Sequence, residues 1–215
     1  MNKTRVLLAD DHSIVRIGLT TLLEMEPDIE VVGQAVNGRE AVDVALKLKP
    51  DVVVMDLMMP MMDGATATAA IRSGLPDARI IIFTTFPTSD LIARAIDNGA
   101  TGAIFKSDAD VELINAIRAV AAGQKYISAG IRGLIASDPP IAPLSPRQTE
   151  ILESIVRGLS NSEIATQLGI SPTVVREHTM AIFKKIGAGN RTEAVAIALR
   201  KHLLRDLKGA KGSAY

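Results

Sequence analysis

Asp10-Asp11, Asp56, Thr84 and Lys106 each follow a short apolar run of the kind that makes a buried strand. Three carboxylates gathered in one place resist joint ionisation, since like charges a few ångströms apart oppose each other. A divalent cation removes that conflict, and an oxygen-rich site that keeps several waters suits Mg2+. Asp10 or Asp11 taken alone is equally well explained as a helix N-cap. Four strand ends carrying Asp-Asp, Asp, Thr and Lys are not explained that way.

The elements that must position these side chains are legible as two alternating periods. Apolar or β-branched runs occur at Arg5–Leu8, Glu30–Gln34, Val52–Met55, Ile80–Phe83 and Gly102–Phe105. Between them lie helical spacings at Gly38–Leu48, Gly64–Arg72, Ser89–Asn98 and Ala109–Ala122, with Ile14, Ile17, Leu19, Leu22 and Leu23 as one face of the first helix. Parallel neighbours need crossover connections, and continuously apolar strands are buried on both faces. The expected fold is α/β, a five-stranded parallel doubly wound domain followed by a small all-α helix-turn-helix domain. In such open sheets functional groups collect beyond the carboxyl ends of the strands, where the four positions lie.

Gly, Ser and Pro139-Pro140 accumulate over residues 123–143, which predicts a linker with a short helical piece around Ile131–Ala136. The remaining patterns are helical: Pro146–Arg157, Asn161–Leu168, Pro172–Ile186 and Thr192–Leu207. The expected boundaries are 1–122, a linker 123–143, 144–207 and a tail 208–215. The net charge of zero hides a division. Residues 1–140 hold 13 Lys and Arg against 18 Asp and Glu, whereas residues 141–215 hold 11 against 6. An acidic front and a basic back suggest modules with different partners. The absence of cysteine excludes disulfides and thiolate metal sites, and the three histidines, His12, His178 and His202, make no metal-binding tract. No apolar run approaches the roughly 18 residues of a membrane span, and the N-terminus turns acidic too soon for a secretory signal. A cytoplasmic protein without a membrane partner is expected.

The segments LLADDH, VVVMDLMMPMMDG, IIFTT and GATGAIFKSD resemble the receiver domains of response regulators. The resemblance implies that Asp56 is the phosphoacceptor. It implies that Asp11, Asp56 and the backbone carbonyl of Met58 hold Mg2+, with Asp10 acting through water. Lys106 would pair with the phosphoryl oxygens and Thr84 would hydrogen-bond them, roles suited to a reaction that needs positioning and charge neutralisation. Two departures stand out. The aromatic residue usual three positions before the lysine is Ala103 here, and Phe105 is expected to point to the opposite face. The positions two beyond Asp56 and Thr84 are Met58 and Phe86, both apolar, so neither can orient an attacking water and slow self-dephosphorylation is expected.

Ser160-Asn161-Ser162-Glu163 is a capping-box pattern, and Ser171-Pro172 opens the next helix. Ala165, Gly169 and Val175 occupy the close-packing, turn and core positions of a helix-turn-helix. The stretch from Leu144 to Leu199 resembles the LuxR-type domain of NarL/FixJ response regulators, and the two resemblances cover about 190 of 215 residues. This implies that Pro172–Ile186 enters the major groove, with Thr173, Arg176, Glu177, Met180, Lys184 and Lys185 as DNA-contacting candidates. Helical phase places Val175, Thr179, Ile182 and Ile186 inward. Glu177 could accept from a cytosine amine, Met180 could touch a thymine methyl, and Lys184 and Lys185 suit phosphates. Val174 replaces a usual threonine and loses its phosphate contact.

The function implied is a two-component transcription factor, phosphorylated by a sensor histidine kinase or a small phosphodonor and binding DNA as a homodimer. The Thr192–Leu207 helix is one candidate dimer surface. A phosphorylation-independent DNA-binding regulator is the alternative, kept open by Ala103. A phosphatase or phosphotransferase with an aspartyl-phosphate intermediate is disfavoured because the position two beyond Asp56 is Met58, so no second acid near it can act as general acid. The expectation is therefore a regulator rather than an enzyme.

Overall fold

The computed structural model describes residues 3–85 and 88–204 and divides the chain into two compact units, 1–139 and 140–215. In the first, strands β1 (Thr4–Ala9), β2 (Ile29–Ala35), β3 (Val52–Met55), β4 (Arg79–Thr84), β5 (Gly102–Phe105) and β6 (Tyr126–Ile127) form one sheet in the order β2-β1-β3-β4-β5-β6. Every neighbouring pair is parallel. Helices α1 (Ser13–Glu24), α2 (Gly38–Leu48), α3 (Gly64–Gly74), α4 (Ser89–Asp97) and α5 (Ala109–Ala121) make the crossovers, and α6 (Ala129–Ser137) follows β6.

Alternation along the strands divides the core in two, as a sheet covered on both faces requires. Leu7, Val53, Met55, Ile80, Ile82 and Ala103 pack on one side with residues of α2, α3, α4 and α6. Val6, Leu8, Val52, Val54, Ile81, Phe83 and Ile104 pack on the other with residues of α1 and α5. On α1 the buried stripe is Leu19 and Leu23 with Val15 and Leu22 partly buried. Ile14 and Ile17, expected on the core face, are 80% and 64% exposed. Positions 15, 19, 22 and 23 follow helical spacing, and 14 and 17 fall beside it.

The sheet has six strands rather than the expected five, and the sixth comes from the stretch expected to be a linker. Tyr126 N–H donates to Thr101 O at 3.0 Å and Ser128 N–H to Ala103 O at 2.9 Å. Ser128 then caps α6, which buries Ile131 completely against the same core as Ala103. A two-residue strand is too short to show periodicity, and the Gly- and Ser-rich composition around it is that of a linker. Phe105 lies on the same side of the sheet as Ala103, not the opposite one, because two residues complete one period of a strand.

In the second unit α7 (Pro146–Val156), α8 (Asn161–Leu168), α9 (Pro172–Ile186) and α10 (Arg191–Arg200) surround one core. The last helix, predicted to run to Leu207, ends at Arg200. Residues 205–207, the tail 208–215 and Phe86 lie outside the described residues. Among the described residues no helix is long and apolar enough to cross a membrane.

Candidate functional site

The reversal of strand order between β1 and β3 opens a crevice at their carboxyl ends. Met55 of β3 pairs with Ala9 of β1 and with Ile82 of β4, so Asp10, Asp56 and Thr84 all follow the same edge of the sheet. The Asp56 N–H extends the ladder by donating to Ala9 O at 2.8 Å, which fixes its backbone beside Asp10. Lys106 leaves the end of β5 in a short 3-10 turn. Sequence separations of tens of residues are thereby closed to contact distance.

Lys106 Nζ donates to Asp56 Oδ2 at 2.9 Å and lies 2.5 Å from Asp10 Oδ2. The contact to Asp10 is an ion pair without hydrogen-bond alignment, and that oxygen is buried with no other polar partner. Asp10, Asp56 and Thr84 are all but inaccessible to solvent. Burial pushes the Asp56 carboxyl above its ordinary range, against the hydrogen bond and charge of Lys106, while Asp10 adds to the rise. Burial also acts to lower Lys106, but the carboxylates of Asp10 and Asp56 beside its ammonium prevail and hold its pKa up. The lysine therefore stays charged and is shared by two carboxylates.

The loop after Asp56 is held from both ends. Met58 N–H faces Asp56 Oδ1 at 3.4 Å, and Gly64 N–H donates to Leu57 O at 2.9 Å. A side chain at Gly64 would place Cβ 2.0 Å from Asp56 O, so only glycine lets α3 begin there. Asp63 caps α3 by accepting from Thr66 N–H at 2.7 Å and also pairs with Arg94 of α4 at 2.6 Å. This clamp from α3 to α4 and the role of Gly64 are not visible in the sequence, where Gly64 only opens a helical spacing.

Donor atoms of Asp10, Asp11, Asp56 and His12 all lie within 4.8 Å of one another. Three carboxylates against one lysine leave negative charge uncompensated, and buried Asp10 Oδ2 has only the Lys106 ammonium beside it. This oxygen-rich set fits a hard divalent cation such as Mg2+. His12 was not singled out for this cluster, although it directly follows the Asp pair. Its Nδ1 lies 2.8 Å from Asp11 Oδ1 and 3.3 Å from Asp10 Oδ1, with the ring largely exposed.

The second candidate site is built on α9. Ser160 and Glu163 form the capping box of α8, Gly169 ends that helix at φ +64°, and Ser171 caps α9 ahead of Pro172. Val175, Thr179, Ile182 and Ile186 are buried. Thr173, Arg176, Glu177, Met180 and Lys184 are exposed, and their spacing of three and four residues places them in one stripe. Lys185 is not in that stripe. Its ammonium donates to Pro143 O and lies 3.4 Å from Gln148 Oε1, holding the segment before α7. Arg147 fixes the end of α8 by donating to Leu168 O at 3.0 Å.

Comparison with known proteins gives these two sites a context. The family described as response regulator receiver domain matches residues 6–118, more than half of the chain. The chain is a response regulator. Residues 142–198 match the bacterial regulatory proteins of the luxR family, so this response regulator carries a LuxR-type DNA-binding domain. It is 39% identical over 208 residues to the transcriptional regulatory protein LiaR of Bacillus subtilis, covering 93% of this chain and 99% of LiaR. It is 35% identical over 214 residues to the oxygen regulatory protein NreC of Staphylococcus aureus, covering 93% and 99%. Among solved structures, the response regulator ChrA of a heme-sensing two-component system aligns with a TM-score of 0.57 and 35% identity, covering 95% of this chain and 100% of ChrA. A structure of two RcsB dimers bound to two parallel DNAs aligns with a TM-score of 0.67 and 27% identity, covering 93% and 99%. These relatives are regulators of transcription rather than enzymes.

Proposed function

We propose that this response regulator is switched by phosphorylation of Asp56 and that the phosphorylated form binds DNA as a homodimer. The observation that carries the reading is the placement of Asp56. It is a buried carboxylate 2.9 Å from the Lys106 ammonium and beside Asp10 and Asp11. The phosphoryl donor would be a sensor histidine kinase or a small acyl phosphate. Asp56 attacks phosphorus as a nucleophile, the donor's phosphorus–nitrogen or phosphorus–oxygen bond breaks, its histidine imidazole or carboxylate departs, and Asp56 becomes the acyl half of a mixed anhydride. Lys106 pairs with a phosphoryl oxygen and the Thr84 hydroxyl donates to another. Asp10, Asp11, Asp56 and the Met58 backbone carbonyl would hold Mg2+, which neutralises charge that develops on the phosphoryl group.

The exposed stripe of α9 is the surface assigned to the major groove. Arg176 is the first candidate for a base or phosphate contact, Thr173 and Lys184 for phosphates, and Glu177 and Met180 for base edges. Lys185 holds the start of its own domain and contributes to DNA binding through that support. Two half-sites bound by a dimer multiply the modest affinity of one domain.

Intact mass after incubation with Mg2+ and acetyl phosphate tests the first part, beside Asp56→Ala. One added phosphoryl group on the wild type and none on the variant is expected. Sedimentation and DNA binding of the phosphorylated and untreated protein test the second, with dimerisation and tighter binding expected only after phosphorylation. A phosphorylation-independent DNA-binding regulator is the second reading. It is favoured by Ala103, which is fully buried against the face that α6 also covers. A folded protein that takes up no phosphoryl group and still binds DNA establishes that alternative.

A further inference from the structure

The chain has no cysteine and eight methionines, five of them at positions 55, 58, 59, 61 and 62. Methionine is thus its only sulfur, and no thiol of its own consumes an oxidant first. The five differ sharply in access. Met55 and Met59 are buried, and Met62 packs against the receiver core. Met58 is 40% exposed, and Met61 is 82% exposed at φ +66°. Of the two exposed ones Met58 is nearer Asp56 in the chain, two residues beyond it with its amide 3.4 Å from Asp56 Oδ1. An unbranched thioether at that place offers water no useful acceptor.

We propose that Met58 is an oxidation site whose sulfoxide shortens the lifetime of the phosphoryl group on Asp56. The inference rests on Asp56 being the phosphoacceptor. The co-reactant is a hypohalous acid or a peroxide. With hypochlorous acid a sulfur–oxygen bond forms, the oxygen–chlorine bond breaks, and chloride and a proton depart. Sulfur loses two electrons and the oxidant gains them. The product is a polar side chain of nearly the same length, and sulfoxide reductases restore the thioether. The sulfoxide oxygen accepts a hydrogen bond from water and retains that water beside the phosphoryl group, which an apolar side chain cannot do. The loop thus links oxidant exposure to the duration of the phosphorylated state.

The test is the phosphoryl half-life of the full chain, charged with acetyl phosphate and desalted, before and after a small excess of hypochlorous acid. Peptide mass spectra locate the added oxygen, with exposed Met25, Met61 and Met180 as internal comparisons. The expected result is a several-fold shorter half-life in oxidised wild type and in oxidised Met61→Leu. The ratio of oxidised to untreated half-life should return to one in Met58→Leu, and Met58→Gln should lose phosphate faster than Met58→Leu without oxidant. Sulfoxide at Met58 with an unchanged half-life overturns the inference, as does an intact Met58 when the other exposed methionines are oxidised. Equal acceleration in Met58→Leu overturns it too. Failure of the untreated protein to take up any phosphoryl group instead overturns the reading of Asp56 on which this depends.

Discussion

The acidic pocket and the exposed stripe of α9 hold their functional side chains in opposite ways. In the pocket Asp56 is tied to Lys106, to Ala9 O and to the Met58 amide, and Lys106 is shared with Asp10. On α9, Arg176, Glu177, Met180 and Lys184 stand exposed, and among the described residues no ion pair engages them. Phosphoryl transfer needs charges preorganised away from water, which makes every pocket residue a structural residue as well. Groove reading needs side chains free to meet a partner, so the helix supplies position and leaves the stripe without stabilising duties. Substitutions in the pocket should therefore change stability and function together, whereas those on the stripe should separate them.

Glycine provides the sharpest way to break this contrast. At Gly64 a Cβ would meet the backbone oxygen of Asp56 at 2.0 Å, whereas at Gly169 nothing lies within 4 Å of one. Gly64→Val is expected to cost about 4 kcal/mol or more, since neither side can yield. Gly169→Ala should cost only about 1 kcal/mol, the strain of a positive φ in an L-residue. Urea denaturation followed by circular dichroism reads both, and similar losses would show that the two turns are equally constrained.

Lys106→Met comes next. It removes the one cation that Asp10 and Asp56 share, leaving buried carboxylates to face each other. A loss of about 3 kcal/mol from the first unit is expected, the scale for breaking a buried pair. Millimolar Mg2+ should recover much of it, because the cation takes over the lysine's compensating charge. A variant as stable as the wild type in chelator would mean that Lys106 compensates nothing.

Asp56→Asn should act in the other direction and by less. Burial raises the pKa of Asp56 in the folded state above the 3.8 of an unfolded aspartate. Below that value the group is protonated in both states, and as pH rises through the folded pKa its ionisation costs stability. Near neutral pH without Mg2+ the amide removes that cost, so the variant should melt higher than the wild type. The difference should vanish as pH falls below about 4, where both side chains are neutral. A variant less stable at neutral pH would show that the Lys106 pair outweighs the burial.

The two sites also differ in how far they could be read from the residues alone. Asp10, Asp11, Asp56, Thr84 and Lys106 were recognisable because each ends a strand, and the strand pattern itself shows which ends coincide. The inward set of α9 followed from helical phase in the same way. What escaped was set by tertiary packing without a local period. β6 is two residues long, and the short helix expected around Ile131–Ala136 is present as α6 but buries Ile131 in the core of the first unit rather than lying in a free linker. Ile14 and Ile17 are apolar yet exposed, so hydrophobicity alone misplaced the face of α1. The partnership of Asp63 with Arg94 spans 31 residues and leaves no sequence signature.

Lys184 and Lys185 put the contrast into adjacent residues. Both are cations in the last turn of α9, and composition offers no reason to separate them. Lys184 is exposed, but Lys185 donates to Pro143 O and reaches Gln148, so its charge already serves its own domain. Lys184→Ala should weaken binding to a nonspecific duplex and reduce the slope of log affinity against log salt by about 0.9, the effect of one lost phosphate contact. Lys185→Ala should leave that slope nearly unchanged while the second unit loses about 1 kcal/mol, the scale of a hydrogen bond removed from a backbone carbonyl. Fluorescence anisotropy across a salt series measures the first quantity and thermal denaturation the second. Equal slope changes in the two variants would mean that Lys185 abandons Pro143 for the phosphate backbone, and that the reading helix reorganises its own support when it binds DNA.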